Sequence, residues 1–313
     1  YIDYPDMHFT LRQLQIFAAI ARHGSVSAAA AEVALTQSAA STALSELERQ
    51  TGRQLFDRIG KSLRLNEQGR SLLPKAVELL DRAAEIDDLL LGHEAIGNLT
   101  IGATLTIGNY LATLIVAEFL RRHPQAQVGL QVRNTANLLQ ALASHAVDLG
   151  LIEGDCRHPD LEVVPWVDDE LAVFCAPDHP LAGKKAGIER LLKEPWILRE
   201  AGSGTRETFD QAFRHHHSVL QVRLELEHTE AIKRAVESRL GLGCISRLAL
   251  RDAFRRGSLV EVKTPTLDLR RTFNFVWHRD KFHGAGMRAF LELCQEFSSG
   301  ASTSDGIQLP EVR

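Results

Sequence analysis

Apolar positions recur along this chain with three rhythms, each predicting a different kind of element. Between residues 11 and 50 the spacing is helical. Leu11, Leu14, Phe17, Ala18, Ile20 and Ala21 share one face of a helix that Thr10 caps and Gly24 stops. Ser25 or Ser27 then caps a short second helix over residues 28–34, and Leu35 and Thr36 form a tight connection. A third helix runs from Gln37 to about Gln50, with Ala40, Leu44 and Leu47 inward and Gly52 at its end. Leu55 and Phe56, then Leu63 to Leu65, flank a turn at Gly60 and Lys61 and predict a β-hairpin. The second rhythm is one long stripe (Leu72, Leu73, Ala76, Val77, Leu79, Leu80, Ala83, Ile86, Leu89, Leu90, Leu91) on a helix capped by Asn66, with Glu67 in its first turn and Pro74 bending its start. From Gly97 a third rhythm begins. Short apolar runs ("NLTIGAT", "AQVGLQVRN", "VDLGLIEG", "LAVFCAP", "EPWILRE", "LELEH", "GLGCIS") alternate with helical patterns over residues 109–122, 138–144, 205–215 and 230–239, which predicts an α/β fold with mainly parallel sheets. A last strand at residues 273–277 and helix at 287–297 follow, and the Ser/Gly/Thr-rich residues 298–313 read as a disordered tail.

The pair of short helices predicts a helix-turn-helix. In "SVSAAAAEVALTQSAASTALSELERQTG" the alanines 28 to 31 let the second helix lie close against the third. Thr36, Gln37, Ser38, Ser41, Thr42 and Ser45 then form a small, uncharged face. Such a face suits entry into the major groove, where Gln reads adenine and hydroxyls take base edges or phosphates. The same face on an ordinary helix is merely solvated, so the neighbouring charge matters. The chain carries net charge −4, yet residues 8–66 hold seven basic residues (Arg12, Arg22, Arg49, Arg53, Arg58, Lys61, Arg64) against four acidic ones (Glu32, Glu46, Glu48, Asp57), a local balance of +3. Arg53, Arg58, Lys61 and Arg64 cluster around the hairpin and suit phosphate contacts, one near the tip reaching the minor groove. The long stripe needs a partner: a second copy in an antiparallel helix pair, or the chain's own domains.

Hydrophobic content of 44% and charged content of 24% describe an ordinary globular balance, and no apolar run approaches the length that spans a bilayer. Residues 1–10 carry no secretory pattern, and Met7 offers a native start. Four cysteines (Cys156, Cys175, Cys244, Cys294) lie far apart, which fits small core residues in a reducing cytoplasm better than a disulfide framework, a zinc site or a redox pair.

The stretch "LRQLQIFAAIARHGSVSAAAAEVALTQSAASTALSELERQTGRQLFDR", with its "FDR" after an "LE…G" helix, resembles the N-terminal winged helix-turn-helix of LysR-type transcriptional regulators. Members often carry a long polar residue mid-helix where this chain has Thr42 and Ala43, which shifts base reading toward Gln37 and DNA shape. The resemblance implies a winged helix-turn-helix at residues 8–65 and a linker and dimerisation helix at 66–92. It implies next an α/β effector-binding domain at 97–297 with two lobes like those of a periplasmic binding protein: lobe 1 about 97–167 and 268–297, lobe 2 about 168–267, with crossovers near 165–168 and 266–272. It further implies double-stranded operator DNA, a small-molecule effector and RNA polymerase as partners, and a homodimer, commonly a homotetramer.

In such sheets ligands sit beyond strand ends, where helices begin. Thr104, Leu105 and Thr106 in "ATLTIGN" and Gly202, Ser203, Gly204 and Thr205 in "EAGSGTRE" combine hydroxyls, free N–H groups and helix starts that favour a small anion or carboxylate. Asn134, Thr135, Glu153, Thr229 and Glu230 complete the candidate walls, and Arg199 or Arg206 offers a cation. Each loop alone also reads as plain capping, and each arginine as a structural salt bridge. No cofactor is implied: "GLGCIS" lacks the third glycine of a dinucleotide fingerprint, no Walker A sequence occurs, and Ser203 sits in G-S-G rather than G-x-S-x-G. His215 to His217 form at most an adventitious metal site. The expectation is a cytoplasmic, non-enzymatic, ligand-responsive DNA-binding regulator. Two alternatives stand beside it: a small-molecule-binding protein without a DNA role, and an α/β enzyme fused to a helical domain.

Overall fold

The computed structural model of the chain describes residues 7–60, 62–90, 96, 98–215 and 220–308, Asp88 by its backbone alone. Lys61, Leu91, Gly97, His216 and His217, named above, lie outside the described residues, as do residues 1–6 and 309–313.

The N-terminal module forms as its caps dictate. Helix α1 (Leu11–His23) starts in a full capping box: the Thr10 side chain accepts from Gln13 N and Gln13 reaches back to Thr10 N, while Gly24 closes it in the left-handed region. Helix α2 spans Val26–Glu32, two residues earlier than its apolar pattern suggested, because Ala34 takes φ +52° and the chain turns there. Ser25 precedes α2 but makes no side-chain cap. Helix α3 (Gln37–Thr51) is capped by Thr36 and ended by Gly52 at φ +63°. Ala29, Ala30 and Ala40 are fully buried where the three helices meet, whereas Ala28 and Ala31 face solvent, so two of the four alanines make the close approach. Strands β1 (Phe56–Ile59) and β2 (Ser62–Leu65) form the wing.

Helix α4 (Glu67–Leu90) follows, capped by Asn66, whose Oδ1 accepts from Gly69 N and whose Nδ2 donates to Gln54 O. One face of α4 closes the N-terminal core through Leu73 and Ala76. Its second half lies on the C-terminal domain. Lys281, with a side chain only 7% exposed, stands between Asp81 of α4 (2.6 Å) and Asp148 (2.8 Å), and Arg82 covers the Phe282 ring at 4.1 Å. Leu79, Ile86, Leu89 and Leu90 on the remaining face are exposed.

The C-terminal domain is one mixed sheet bent into two lobes. Lobe 1 holds β3 (Asn98–Ala103), β4 (Gln127–Val132) and β5 (Leu149–Glu153) in parallel. Lobe 2 holds β7 (Pro195–Arg199), β8 (Gln221–Leu226) and β9 (Leu242–Ser246) in parallel. The strands between them are antiparallel, so "mainly parallel" holds within each lobe and fails at the joint. One 15-residue strand, β6 (Leu161–Cys175), passes through both lobes: it pairs β11 (Arg270–His278) up to Glu170 and β9 from Leu171. The crossover thus lies at Glu170 and Leu171, a few residues past the expected place. Pro165 lacks the N–H a continuous ladder needs, and there the register slips so that Trp166 is bypassed. A short strand β10 (Val260–Val262) also pairs β6.

Helices cover both faces. The one expected over residues 109–122 begins earlier, as α5 (Leu105–Ile107), passes a π-helical segment Gly108–Ala112 and continues as α6 (Thr113–Arg122). Helices α7 (Thr135–Ala143), α8 (Ile188–Leu191), α9 (Gly204–Ala212), α10 (Thr229–Glu237), α11 (Arg247–Arg256) and α12 (Ala285–Ser298) complete the layers. Cys175, Cys244 and Cys294 are buried free thiols, with burial pushing Cys244 up to about 12. The tail expected to be disordered is packed as far as it is described: residues 304–306 form a 3₁₀ turn and Ile307 is 3% exposed in the lobe 1 core. Composition misled here because a single isoleucine and one buried serine suffice to hold a short segment.

Replacing Lys281 by Met leaves Asp81 and Asp148 facing each other. We expect a loss of about 3 kcal/mol, the lower end for a broken buried pair because Asp81 keeps about a third of its side chain in water. Urea unfolding measures it, and adding Asp148→Asn should restore part of the loss.

Candidate nucleic-acid interface and inter-lobe cleft

The small, uncharged face of α3 is exposed as its spacing predicts. Gln37, Ser38, Ser41, Thr42 and Ser45 are exposed on α3 while Ala40, Leu44 and Leu47 are buried beneath them. Thr36 is committed to capping, accepting from Ala39 N at 3.2 Å, and its hydroxyl also meets Ser38 Oγ at 3.1 Å. Gln37 therefore carries the longest free amide on this face. The basic residues divide into two groups. Arg22 and His23 clamp Glu32 of α2, Arg12 donates to Val33 O, Arg49 pairs with Glu46, and Arg53 donates to Gln68. All but the Arg49 pair, which lies within α3, join different elements of the module. Arg58 and Arg64 are exposed on the wing with no hydrogen-bond or ion-pair partner among the described residues. The ladder register opposes Arg64 to Asp57 and Arg58 to Leu63, which sends the two cations to opposite faces of the ribbon.

The two loops singled out in the C-terminal domain meet. Thr104 stands between β3 and α5 and Thr106 lies in α5; both are buried, and Thr106 N donates to Glu153 Oε1 at 3.1 Å. Thr104 Oγ1 accepts from Glu153 N at 3.3 Å and so ties β3 to β5 within lobe 1. From lobe 2, Ser203 caps α9 through Arg206 N, Gly204 N donates to Thr135 Oγ1 at 3.1 Å, and Thr205 Oγ1 donates to Glu153 Oε2 at 3.3 Å. The last two bonds cross between lobes. Gly204 has to be glycine, because a Cβ there would stand 2.1 Å from Glu153 O. Gly202, at φ +87°, turns the chain so that its carbonyl accepts from Ala136 N. Leu105 is buried behind Thr104 and Thr106, and Asn134 is spent on capping α7 through Asn137 N.

Sequence reasoning missed the centre of this arrangement. Arg271, at the start of β11, is buried with its side chain 2% exposed. It pairs with Glu153 at 2.5 Å and with Asp169 of β6 at 2.7 Å, and donates to Thr205 Oγ1 at 2.9 Å. Burial by itself would raise the Glu153 carboxyl, but Arg271, the Thr106 N–H and Arg199 outweigh it and hold it below its ordinary value. Alternation along β11, which puts Arg271 on the side of Phe273 and Phe275, is the one signal that could have separated it from Arg270, which pairs with Asp268 in solvent.

Of the two candidate cations, Arg206 is engaged by Asp210 and Glu225. Arg199 is 2% exposed, held bidentate by Glu200, and its buried Nη1 has no hydrogen-bond partner among the described residues. Thr229 is buried at the start of α10. Glu230 is taken up in a second cross-lobe contact, accepting from the Tyr110 hydroxyl and pairing with Lys233 at 2.5 Å. Tyr110 comes from the π-helical segment, a kind of distortion that often marks functional sites. Among the described residues no cluster of His, Cys, Asp or Glu suits a metal ion, and no helix is long and apolar enough to cross a membrane.

Comparison with known proteins agrees with both halves. Residues 11–70 match the model for bacterial regulatory helix-turn-helix proteins of the lysR family, and residues 92–299 match the LysR substrate binding domain. The chain is 44% identical over 288 residues, 92% of its length and 98% of the relative's, to the uncharacterized HTH-type transcriptional regulator YeiE of Escherichia coli. It resembles full-length OxyR of Pseudomonas aeruginosa in fold (TM-score 0.69, 22% identity, 93% and 95% of the two chains). It also resembles the Synechocystis CcmR regulatory domain solved in complex with 2-PG (TM-score 0.61, 27% identity, 65% and 98%).

Because the Glu153 carboxyl lies lower in the folded protein than its ordinary 4.5, the stability it confers is complete above that pH and lost as pH falls through the folded value. Glu153→Gln should therefore lower stability at pH 7 by about 3 kcal/mol. Chemical denaturation across pH should show the gap to the unsubstituted protein narrowing in acid.

Proposed function

The chain belongs to the LysR family of transcriptional regulators, and from that premise we propose that it reads a two-half-site operator in the cytoplasm as a homo-oligomer under the control of a small anion or carboxylate held between its lobes. The exposed amide-and-hydroxyl face of α3 enters the major groove, Gln37 foremost, and Arg58 and Arg64 of the wing neutralise phosphates, joined by Lys61. The apolar residues left open on α4 (Leu79, Ile86, Leu89, Leu90) pair with a second copy, placing two winged modules on one duplex, and two such dimers make the tetramer; RNA polymerase is the partner at the promoter. The protein performs no chemistry on its ligand.

The observation that carries the ligand reading is the pair of hydroxyl-bearing loops joined across the lobes, Thr135 to Gly204 and Thr205 to Glu153, together with the Arg199 Nη1 that has no partner among the described residues. These cross-lobe bonds are the ones a small anion replaces: it accepts from the hydroxyls, the loop N–H groups and the guanidinium, while Arg271 keeps Glu153 neutralised. The bound form of the relative CcmR with 2-PG supports a small ligand in a domain of this kind. Regulation then follows from a difference in ligand affinity between two placements of the lobes, which changes the spacing of the winged modules.

Two outcomes are expected. In gel-shift titrations against salt, Arg64→Ala should weaken binding to every duplex alike and reduce the salt slope by about 1, whereas Gln37→Ala should lose discrimination at one base pair by about 1–3 kcal/mol. In a thermal-shift screen of sulfate, phosphate, bicarbonate and acetate on the full chain, Thr104→Ala and Ser203→Ala should abolish the response to whichever anion stabilises the unsubstituted protein, with operator affinity unchanged. A response that persists in both variants refutes the cleft.

A further inference from the structure

The chain does not stop at α12. The match to the family's ligand-binding domain ends at residue 299, yet the structure continues in contact with both lobes. Thr303 bridges to Asp168 on the crossover strand β6. Ile307 is buried in a cluster with Phe290 of lobe 1 and Leu248 of α11, which belongs to lobe 2. Between them Ser304, 1% exposed, donates its hydroxyl to Asp169 at 2.5 Å.

Asp169 is the residue that matters here. Its carboxylate is 1% exposed and each oxygen has a duty. One accepts from Arg271 Nε at 2.7 Å; the other accepts from Ser246 Oγ at 2.7 Å and from Ser304. Arg271 then holds Thr205 and Glu153, and Glu153 holds Thr106 N. A continuous set of buried polar bonds thus runs from the C-terminal segment to the loops that meet between the lobes. A buried carboxylate is stable only with its lone pairs occupied, and a donor removed from it is costly because water cannot easily replace it.

We propose that residues 300–307 form a strap that positions the effector cleft, with Ser304 acting through Asp169 on Arg271. The inference rests on the reading that the cleft takes the effector. Without the Ser304 hydroxyl, the Asp169 oxygen is short of a donor and the carboxylate turns or admits water. Arg271 then loses its fixed orientation, and with it Thr205 and Glu153 lose theirs. Ser304 is a positioning residue: it touches no ligand. The segment's other contact, Ile307 in the apolar cluster, suggests a plainer role as a plug, and the two roles predict different outcomes.

Hydrogen–deuterium exchange followed by mass spectrometry on the full-length protein separates them without any ligand. In Ser304→Ala, peptides covering residues 104–108 and 203–206 should exchange about tenfold faster, as loss of one hydrogen bond to a charged group implies. Peptides covering residues 99–101 and 196–198, in the lobe interiors, should be unchanged. A chain ended after residue 300 should give the same pattern, larger in size, and the exposed Ser302→Ala none of it. The proposal is overturned if Ser304→Ala speeds exchange everywhere in proportion, or only in the tail. It is equally overturned if Ile307→Ala loosens the cleft while Ser304→Ala does not. Failure of every anion to bind would count against the cleft reading and leave these exchange patterns as they are.

Discussion

The guanidinium of Arg271 is bound on one side by Glu153, from the end of a lobe 1 strand, and on the other by Asp169, from the strand that runs between lobes. All three groups are shut away from water. Desolvating one cation and two anions is costly, and their attraction offsets that cost only while the geometry is held and the remaining lone pairs find donors. Thr106 N, Thr205, Ser246 and Ser304 provide those donors. Parting the lobes breaks several bonds at once, those of Thr205 to Glu153 and Arg271 and of Ser246 to Asp169, while the three charges on the lobe 1 side of the crossover stay paired. A joint with that property suits two discrete positions better than a continuum.

Around this joint the rest of the domain is closely packed. Each lobe has its own apolar interior, and the connections between them are the paired strands β6 and β11, the segment after α12, and the side-chain bridges across the cleft. Tyr110 and Glu230 make one such bridge at the edge, and Thr135 with Gly204 another. A ligand that takes over the second kind of bond changes the balance between positions only to the extent that it binds one better than the other. Glycine at 204 lets the lobes come this close, because any side chain there would meet the Glu153 carbonyl.

Much of this could be read from the residue order, and the parts that could not share a cause. The Thr10 and Asn66 caps, the left-handed Gly24 and Gly52, the buried Ala40, Leu44 and Leu47, and the exposed Gln37-to-Ser45 face all follow from local rules, so local patterns revealed them. The cluster of arginines was visible, but not that Arg12, Arg22 and Arg53 would be used internally, since their partners depend on how helices cross. Thr104, Ser203 and Thr205 were legible as helix starts, while Arg271 and Asp169 were not: their meaning depends on three strands brought together from residues more than 100 apart. The uninterrupted strand β6 was hidden by Pro165, which reads as a break but is absorbed by a bulge.

One detail of the linker helix reaches further than its size suggests. The first residue of α12, Ala285, donates its N–H to Glu85 of α4 at 3.0 Å, and α12 receives no cap from its own Gly284. With Lys281 and Phe282 beside it, every hydrogen bond, ion pair and cation–π contact joining α4 to the C-terminal domain among the described residues falls on lobe 1. The DNA-reading head and lobe 1 are thereby geared as a single shaft. Lobe 2 makes none of these contacts, so any change in its placement reaches α4 only by way of lobe 1.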